Sequence, residues 1–157
     1  MAAQKTYKYA TDRGIPGGIY DMYHYQVDSR NNEENDGKLG FGMGVIRGSV
    51  PGSNVKLPVT ESTELVFEGI TVNGFTTQQD LEGNTRVLKN QTVGVMKRGR
   101  IWVRIPEGVE PSYGDQLCLI KTGEDVGCFT NDITGTMQLG GRFIGGASNG
   151  VAPVELI

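Results

Sequence analysis

The sequence is poor in the residues that catalysis and metal binding draw on. It has one histidine, His24, and two cysteines, Cys118 and Cys128, among 157 residues. Two cysteines in a chain of this size cannot form a disulfide framework, and their spacing matches no zinc site, so free, mostly buried thiols are expected. A Ser-His-Asp or Cys-His arrangement would have to run through His24, and no strained G-x-S-x-G turn accompanies it. A basic excess is missing too: 15 Lys and Arg stand against 18 Asp and Glu, a net charge of −3. Phosphate binding rests on concentrated cations, so direct nucleic-acid binding is not expected. No apolar run approaches the ~20 residues of a membrane span. The opening MAAQKTYKYATDRG lacks the apolar middle of a signal peptide, which predicts synthesis in a cytosol. Helix-favouring residues are scarce as well, with 14 Ala and Leu against 25 Val and Ile. That balance excludes a helical bundle or long coiled coil and favours pleated sheet.

Glycine is plentiful, at 24 residues, about twice its usual ~7% share. Val, Ile, Leu and Phe together make about a quarter of the chain, above the ~20% below which chains tend to stay disordered. A core can therefore form, and the length fits one domain. Residues 1–18 combine Lys5, Tyr7, Lys8, Tyr9 and Arg13 with the breaker Pro16-Gly17-Gly18, and read as an extended N-terminal arm or an edge strand. Residues 19–157 read as a single β-domain.

Within it, Ile19 to Val27 suits a strand, followed by a polar loop over residues 29–37. Leu39 to Arg47 sets Gly40, Gly42 and Gly44 at alternate positions, as close backbone approach or a bent barrel corner would require. Val55 to Val59 and Leu65 to Val72 are further strands, residues 61–64 a single helical turn, and residues 74–84 a polar excursion. TVGVMKRGRIWVRIP reads as a hairpin: a three-residue loop at Lys97-Arg98-Gly99 sets Val95 against Ile101 and Val93 against Val103. The same register puts Trp102 opposite Gly94, flanked by Arg100 and Arg104. Trp and Arg anchor interfaces most often, so this hairpin is also a candidate contact surface. A second hairpin joins Gln116–Lys121 to Val126–Thr130, in a register that sets Cys128 against either Leu119 or Cys118. Thr134 to Leu139, Arg142 to Ile144 and Val151 to Leu156 complete the chain, separated by Gly140-Gly141 and residues 145–150. Ten or more short strands with turn signals every ~8–12 residues predict an all-β architecture, a compact barrel or sandwich of short antiparallel strands.

Sites of other kinds find no support. The glycines around residues 37–48 complete neither a phosphate loop nor a Gly-rich turn into a helix. Glu33, Glu34 and Asp36 lack the ligand spacing of a calcium loop.

The stretch LKNQTVGVMKRGRIWVRIPEGVEPSYGDQLCL and the closing GRFIGGASNGVAPVELI resemble the cement, or decoration, proteins of tailed-bacteriophage heads. The likeness lies in a tyrosine- and glycine-containing N-terminal part, a valine-rich centre, a Tyr-Gly-Asp entry to the next strand and a glycine-rich turn into a final valine strand. It implies a structural virion protein made in the bacterial cytoplasm, without cofactor or turnover, that binds the outer surface of the head and bridges neighbouring major capsid subunits. By the same analogy a homotrimer is expected, with a dimer next. Candidate contacts with the capsid or with other copies are Lys5, Tyr7, Tyr9 and Arg13 in the arm, and Lys97, Arg98, Arg100, Trp102 and Arg104 in the basic segment. Two rival readings are a virion-surface β-module that captures glycans through Trp102 and tyrosines, and a small trimeric β-enzyme of nucleotide metabolism.

Overall fold

The computed structural model describes residues 14–59, 65–74, 81 and 87–157. The helical turn expected over residues 61–64 and most of the excursion over residues 74–84 lie outside these. Among the described residues there is no helix. The described residues form nine strands: β1 Gln26–Asn32, β2 Gly44–Arg47, β3 Asn54–Lys56, β4 Phe67–Thr71, β5 Thr92–Arg104, β6 Gln116–Leu119, β7 Phe129–Thr130, β8 Met137–Phe143 and β9 Val151–Leu156. In space they run β1-β3-β2-β4-β5, and pairing of β5 with β1 closes this set into a barrel. The series continues from β5 through β9, β8 and β6 to β7 as a side sheet. The all-β barrel is thus observed. Most pairs are antiparallel, but β1 and β3 run parallel, with Asn31 beside Asn54.

The hairpin expected at Lys97-Arg98-Gly99 does not form. Residues 92–104 make one continuous strand, and its two halves pair with other elements instead of each other. Val95 lies opposite Asp28 and Thr71 in the barrel, while Ile101 lies opposite Val154 in the side sheet. The residues read as a turn instead bend the strand. Gln26 faces Arg98 and Val27 faces Met96, which leaves Lys97 as a bulge. Two residues on, Gly99 takes φ +132°, and a Cβ there would lie 2.6 Å from Tyr25 Cβ. A bulge and a glycine increase local twist and redirect a strand without ending it. Both halves still bury their odd-numbered valines and isoleucine, so the alternation fits a continuous strand as well as a hairpin.

Three further expectations are corrected. Residues 29–32, read as loop, extend β1, and Asn32 is fully buried there. Its side-chain amide donates to Leu88 O (3.0 Å) and Glu34 O, and its Oδ1 accepts from Glu34 N, so no polar atom is stranded. Gly140-Gly141, read as a separator, lies inside β8, where Gly141 passes against the Glu155 carbonyl of β9. In the second hairpin neither expected register holds: Leu119 pairs with Phe129 and Cys118 with Thr130. Ile120 then exchanges hydrogen bonds with Cys128 and Gly127, giving a longer loop. Both cysteines are free.

Two apolar clusters hold these parts together. Leu39, Val45, Val55, Leu57, Val87, Val93 and Val95 fill the barrel. Ile70 and Met96 turn the other way and pack with Ile101, Val103, Leu117, Phe129, Phe143 and Val154 between barrel and side sheet. Each such side chain contributes about 1.5–3 kcal/mol when fully buried. Gly44 allows this contact: a Cβ there would overlap Leu119 and reach within 2.9 Å of Phe129.

Candidate functional site

Residues 14–27 form a belt along β5, beside its second half until Gln26 and Val27 enter β1 opposite Arg98 and Met96. Gly17 N–H donates to Trp102 O (2.8 Å), Trp102 N–H to Gly18 O (2.9 Å) and Tyr20 N–H to Arg100 O (3.0 Å). Ile19 bridges Ile101, and Asn73 N–H donates to Gly17 O. Gly17, at φ +77°, leaves no room for a side chain: a Cβ would lie 2.6 Å from Asn73 N. Part of the arm expected over residues 1–18 is therefore held at the sheet edge.

Two alternate side chains of β5 back the belt. The Trp102 indole covers Gly14, where any Cβ would overlap it, and lies 5.6 Å from the Tyr20 ring. Arg100 donates through Nη1 to Asp21 Oδ2 at 2.8 Å, and its guanidinium stacks 4.3 Å over the Tyr23 ring. Asp21 Oδ1 in turn accepts Tyr23 N–H (3.0 Å), which fixes the tyrosine over the arginine. Partial burial pushes the Asp21 carboxyl up. The Arg100 hydrogen bond, the Tyr23 N–H and the Arg100 charge outweigh this, and Asp21 ionises below the usual carboxylate range.

What the belt presents outward is mostly aromatic and aliphatic, with His24 and Gln26 also exposed. Ile15, Ile19, Tyr20, Met22, Tyr23, Tyr25 and Val27 account for half of the exposed large apolar side chains among the described residues, and Met22 is 94% exposed. Such a concentration on one stretch is the usual mark of a contact surface. Beside it, Arg142 of β8 donates from Nε to Glu155 Oε2 (3.2 Å) and stacks 5.0 Å from the Tyr113 ring. Glu155 also faces Arg100 Nη2 at 3.6 Å. Tyr20, Arg100, Tyr113, Arg142, Ile144 and Glu155 line a cleft of about 150 Å³.

The sequence-predicted contact residues divide. Lys5, Tyr7, Tyr9 and Arg13 lie outside the described residues. Lys97 is exposed but ion-paired to Asp28 (2.9 Å) and Glu68 (3.8 Å). Arg98 is exposed and makes no ion pair with a described residue. Arg104 donates from Nε to Phe41 O (2.7 Å). Arg100 and Trp102 are half-buried under the belt, which spends much of their surface within the chain. Asp21, Tyr113, Arg142 and Glu155 were missed, because strand order brings them together and sequence spacing does not. The tyrosines of the belt were visible in the sequence as part of a strand, and tyrosines were read as a surface only in the glycan-binding rival. His24 is exposed beside Tyr23. Among the described residues no group of three or more His, Cys, Asp or Glu could hold a metal ion.

The described residues define an all-β protein, a closed barrel with a side sheet that carries an exposed, arginine-backed aromatic belt. The match to known proteins is consistent with that class. A family described as structural cement protein (E217 gp24/Pam3 gp6) matches residues 3–157, nearly the whole chain, and the protein belongs to it. It is a structural protein of the phage virion that decorates and stabilises the capsid. The fold is similar to a chain in the solved capsid of Myoviridae phage XM1, with a TM-score of 0.73 and 17% identity over 99% of this chain and 98% of that one. No individual curated protein matches in sequence.

Proposed function

We propose that this chain sits on the outer face of the phage head and cements neighbouring major capsid subunits through the belt at residues 15–27. On this reading it acts by binding alone, without cofactor, turnover or direct contact with nucleic acid or membrane. The observation that carries it is the clustering of exposed aromatic and aliphatic side chains on a backbone segment already fixed to β5. A pre-ordered surface loses little entropy on binding, so its apolar area converts more fully into affinity. Lys5, Tyr7, Tyr9, Arg13 and Arg98 would extend the contact, and Lys97, Arg100, Trp102 and Arg104 would support it from within. A homotrimer, with a dimer as the alternative, would present several belts at once, and weak contacts held at two or more points gain effective concentration.

The test is to add purified protein to undecorated expanded heads and follow binding and heat resistance. Saturable binding with a higher disruption temperature is expected, and Met22→Asp with Tyr23→Ala should weaken it about tenfold or more. Heads that bind nothing, or bind without gaining resistance, would overturn the assignment. Sedimentation equilibrium decides between trimer and dimer.

A further inference from the structure

The cleft beside the belt holds more hydrogen-bond donors than acceptors. Its two guanidiniums carry ~10 N–H donors. Of these donors, only Arg100 Nη1 and Arg142 Nε hydrogen-bond a side-chain acceptor among the described residues, at Asp21 and Glu155, and Arg100 Nη2 lies 3.6 Å from Glu155 Oε1. Arg100 Nε is buried with no partner. Both terminal nitrogens of Arg142 make no hydrogen bond to a described residue, although the side chain is held from two directions, by Glu155 and by the Tyr113 ring. Tyr113 is itself 67% exposed. A positioned guanidinium with its fork free, stacked by the Tyr113 ring in a cleft also lined by Tyr20 and Ile144, is an arrangement that takes a carboxylate in bidentate fashion.

We infer that this cleft is a socket for an Asp or Glu side chain of a major capsid subunit, with Arg142 as the principal contact and Tyr113 and Tyr20 as its walls. The occupant must bring acceptors, because the cleft already has donors to spare, and a carboxylate brings up to ~4 acceptor sites with no donor. Capsid subunit rather than second copy follows from position. Tyr20 and Arg100 belong to both the cleft and the belt, so one partner surface covers both. The inference rests on the cement reading above and adds the chemistry that this surface recognises.

The experiment compares titrations of undecorated heads with wild type, Arg142→Met, Arg142→Lys and Lys121→Met. Met keeps an apolar stem against Tyr113 and removes the fork, and Lys121→Met removes the same charge elsewhere. Arg142→Met should bind about tenfold or more weakly, Arg142→Lys should fall between it and wild type, and Lys121→Met should stay within about twofold of wild type. Carbodiimide treatment of decorated heads carrying Arg142→Lys should join position 142 to an Asp or Glu of the major capsid protein. Wild-type affinity in Arg142→Met, an equal loss in Lys121→Met, or intermolecular coupling only to a second copy of this chain would each overturn the socket. Failure of the wild-type protein itself to bind heads would instead overturn the cement reading.

Discussion

Two adjacent glycines allow a matched test of the fold. Gly140 and Gly141 both lie in β8 with φ outside the left-handed region, so alanine is conformationally acceptable at either. Their surroundings differ. A Cβ on Gly140 would meet nothing nearer than Ile157 O at 4.0 Å. A Cβ on Gly141 would lie 2.5 Å from Glu155 O, 3.1 Å from Leu117 Cδ2 and 3.4 Å from Glu155 C. The first two of these groups belong to the backbone of β9 and to the buried face of β6, and neither can swing aside. Replacing glycine by alanine where the conformation permits stabilises by about 0.4–1 kcal/mol through the unfolded chain, equally at both sites. Over-packing a close contact costs about 1–3 kcal/mol and applies at Gly141 alone. The difference between the variants isolates that steric cost, ~2 kcal/mol. For a chain of this length that corresponds to roughly 4–8 °C between melting temperatures. Gly140→Ala should melt at or slightly above wild type and Gly141→Ala clearly below it, by calorimetry at one scan rate. Equal melting temperatures, or the reverse order, would refute the packing of β8 against β9. They would favour an open Gly-Gly turn, in which both alanines stand free.

Further tests follow from charge and burial. Asp21, Asp28, Glu33 and Asp115 all have lowered carboxyl pKa values; the main causes are the Lys97 hydrogen bond at Asp28, the Ser49 N–H at Glu33 and the Ser112 N–H at Asp115, while at Asp21 the Arg100 contact overcomes burial. Groups lowered on folding contribute stability above their unfolded values near ~4 and lose it as pH falls through the folded ones. Urea midpoints should therefore be flat on this account from about pH 5 to 8 and decline below about pH 4; a midpoint that rises on acidification would contradict the assignment. Burial pushes the thiols of Cys118 and Cys128 up. Neither should react appreciably with iodoacetamide at pH 7.5 until urea unfolds the chain, and rapid labelling of the native protein at both would count against the burial. Phe129 is fully buried between barrel and side sheet, so Phe129→Ala should cost about 3–5 kcal/mol, read from urea midpoints. A loss under about 1 kcal/mol would mean the two parts do not share that core.

The fold class was legible because it depends on composition and period, which survive without knowledge of partners. Val151 to Leu156 was readable to the residue, since a glycine turn precedes it and its apolar content leaves few alternatives. The basic segment was not, and the reason is specific. Val93, Val95, Ile101 and Val103 share one parity, and a hairpin folded at Gly99 and a strand running through it bury the same four residues. Deciding between them requires knowing whether β1, β4 and β9 offer better partners than the two halves offer each other, which is a property of the whole chain. Gly140-Gly141 failed for a similar reason. Glycine pairs mark both turns and places where strands pass closely, and only the neighbour at Glu155 distinguishes the two. The socket around Arg142 was hidden because its members come from five separate segments, and the contacts at Tyr20, Tyr113 and Glu155 exist only once β5, β9 and β8 lie side by side.

Running β5 straight through has a mechanical consequence for a protein whose role is to hold other subunits. Had residues 92–104 folded into a hairpin, the belt would rest on a projecting finger attached at its base. As one strand, β5 is a wall of the barrel at Val93 and Val95, the end strand of the side sheet at Ile101 and Val103, and the support of the belt at Arg100 and Trp102. Force on Tyr20 or Tyr23 passes through backbone hydrogen bonds and the Arg100 contact into a strand paired on both sides. Displacing that strand would disrupt both apolar clusters, because Val95 belongs to one and Met96 to the other. Interiors packed at crystal-like density transmit strain instead of absorbing it. The bulge at Lys97 is what permits this, since an unbent strand could not leave the barrel wall at Met96 and enter the side sheet by Gly99. The same short run of residues that made the sequence look like a loop is therefore the joint that ties the proposed contact surface to both cores.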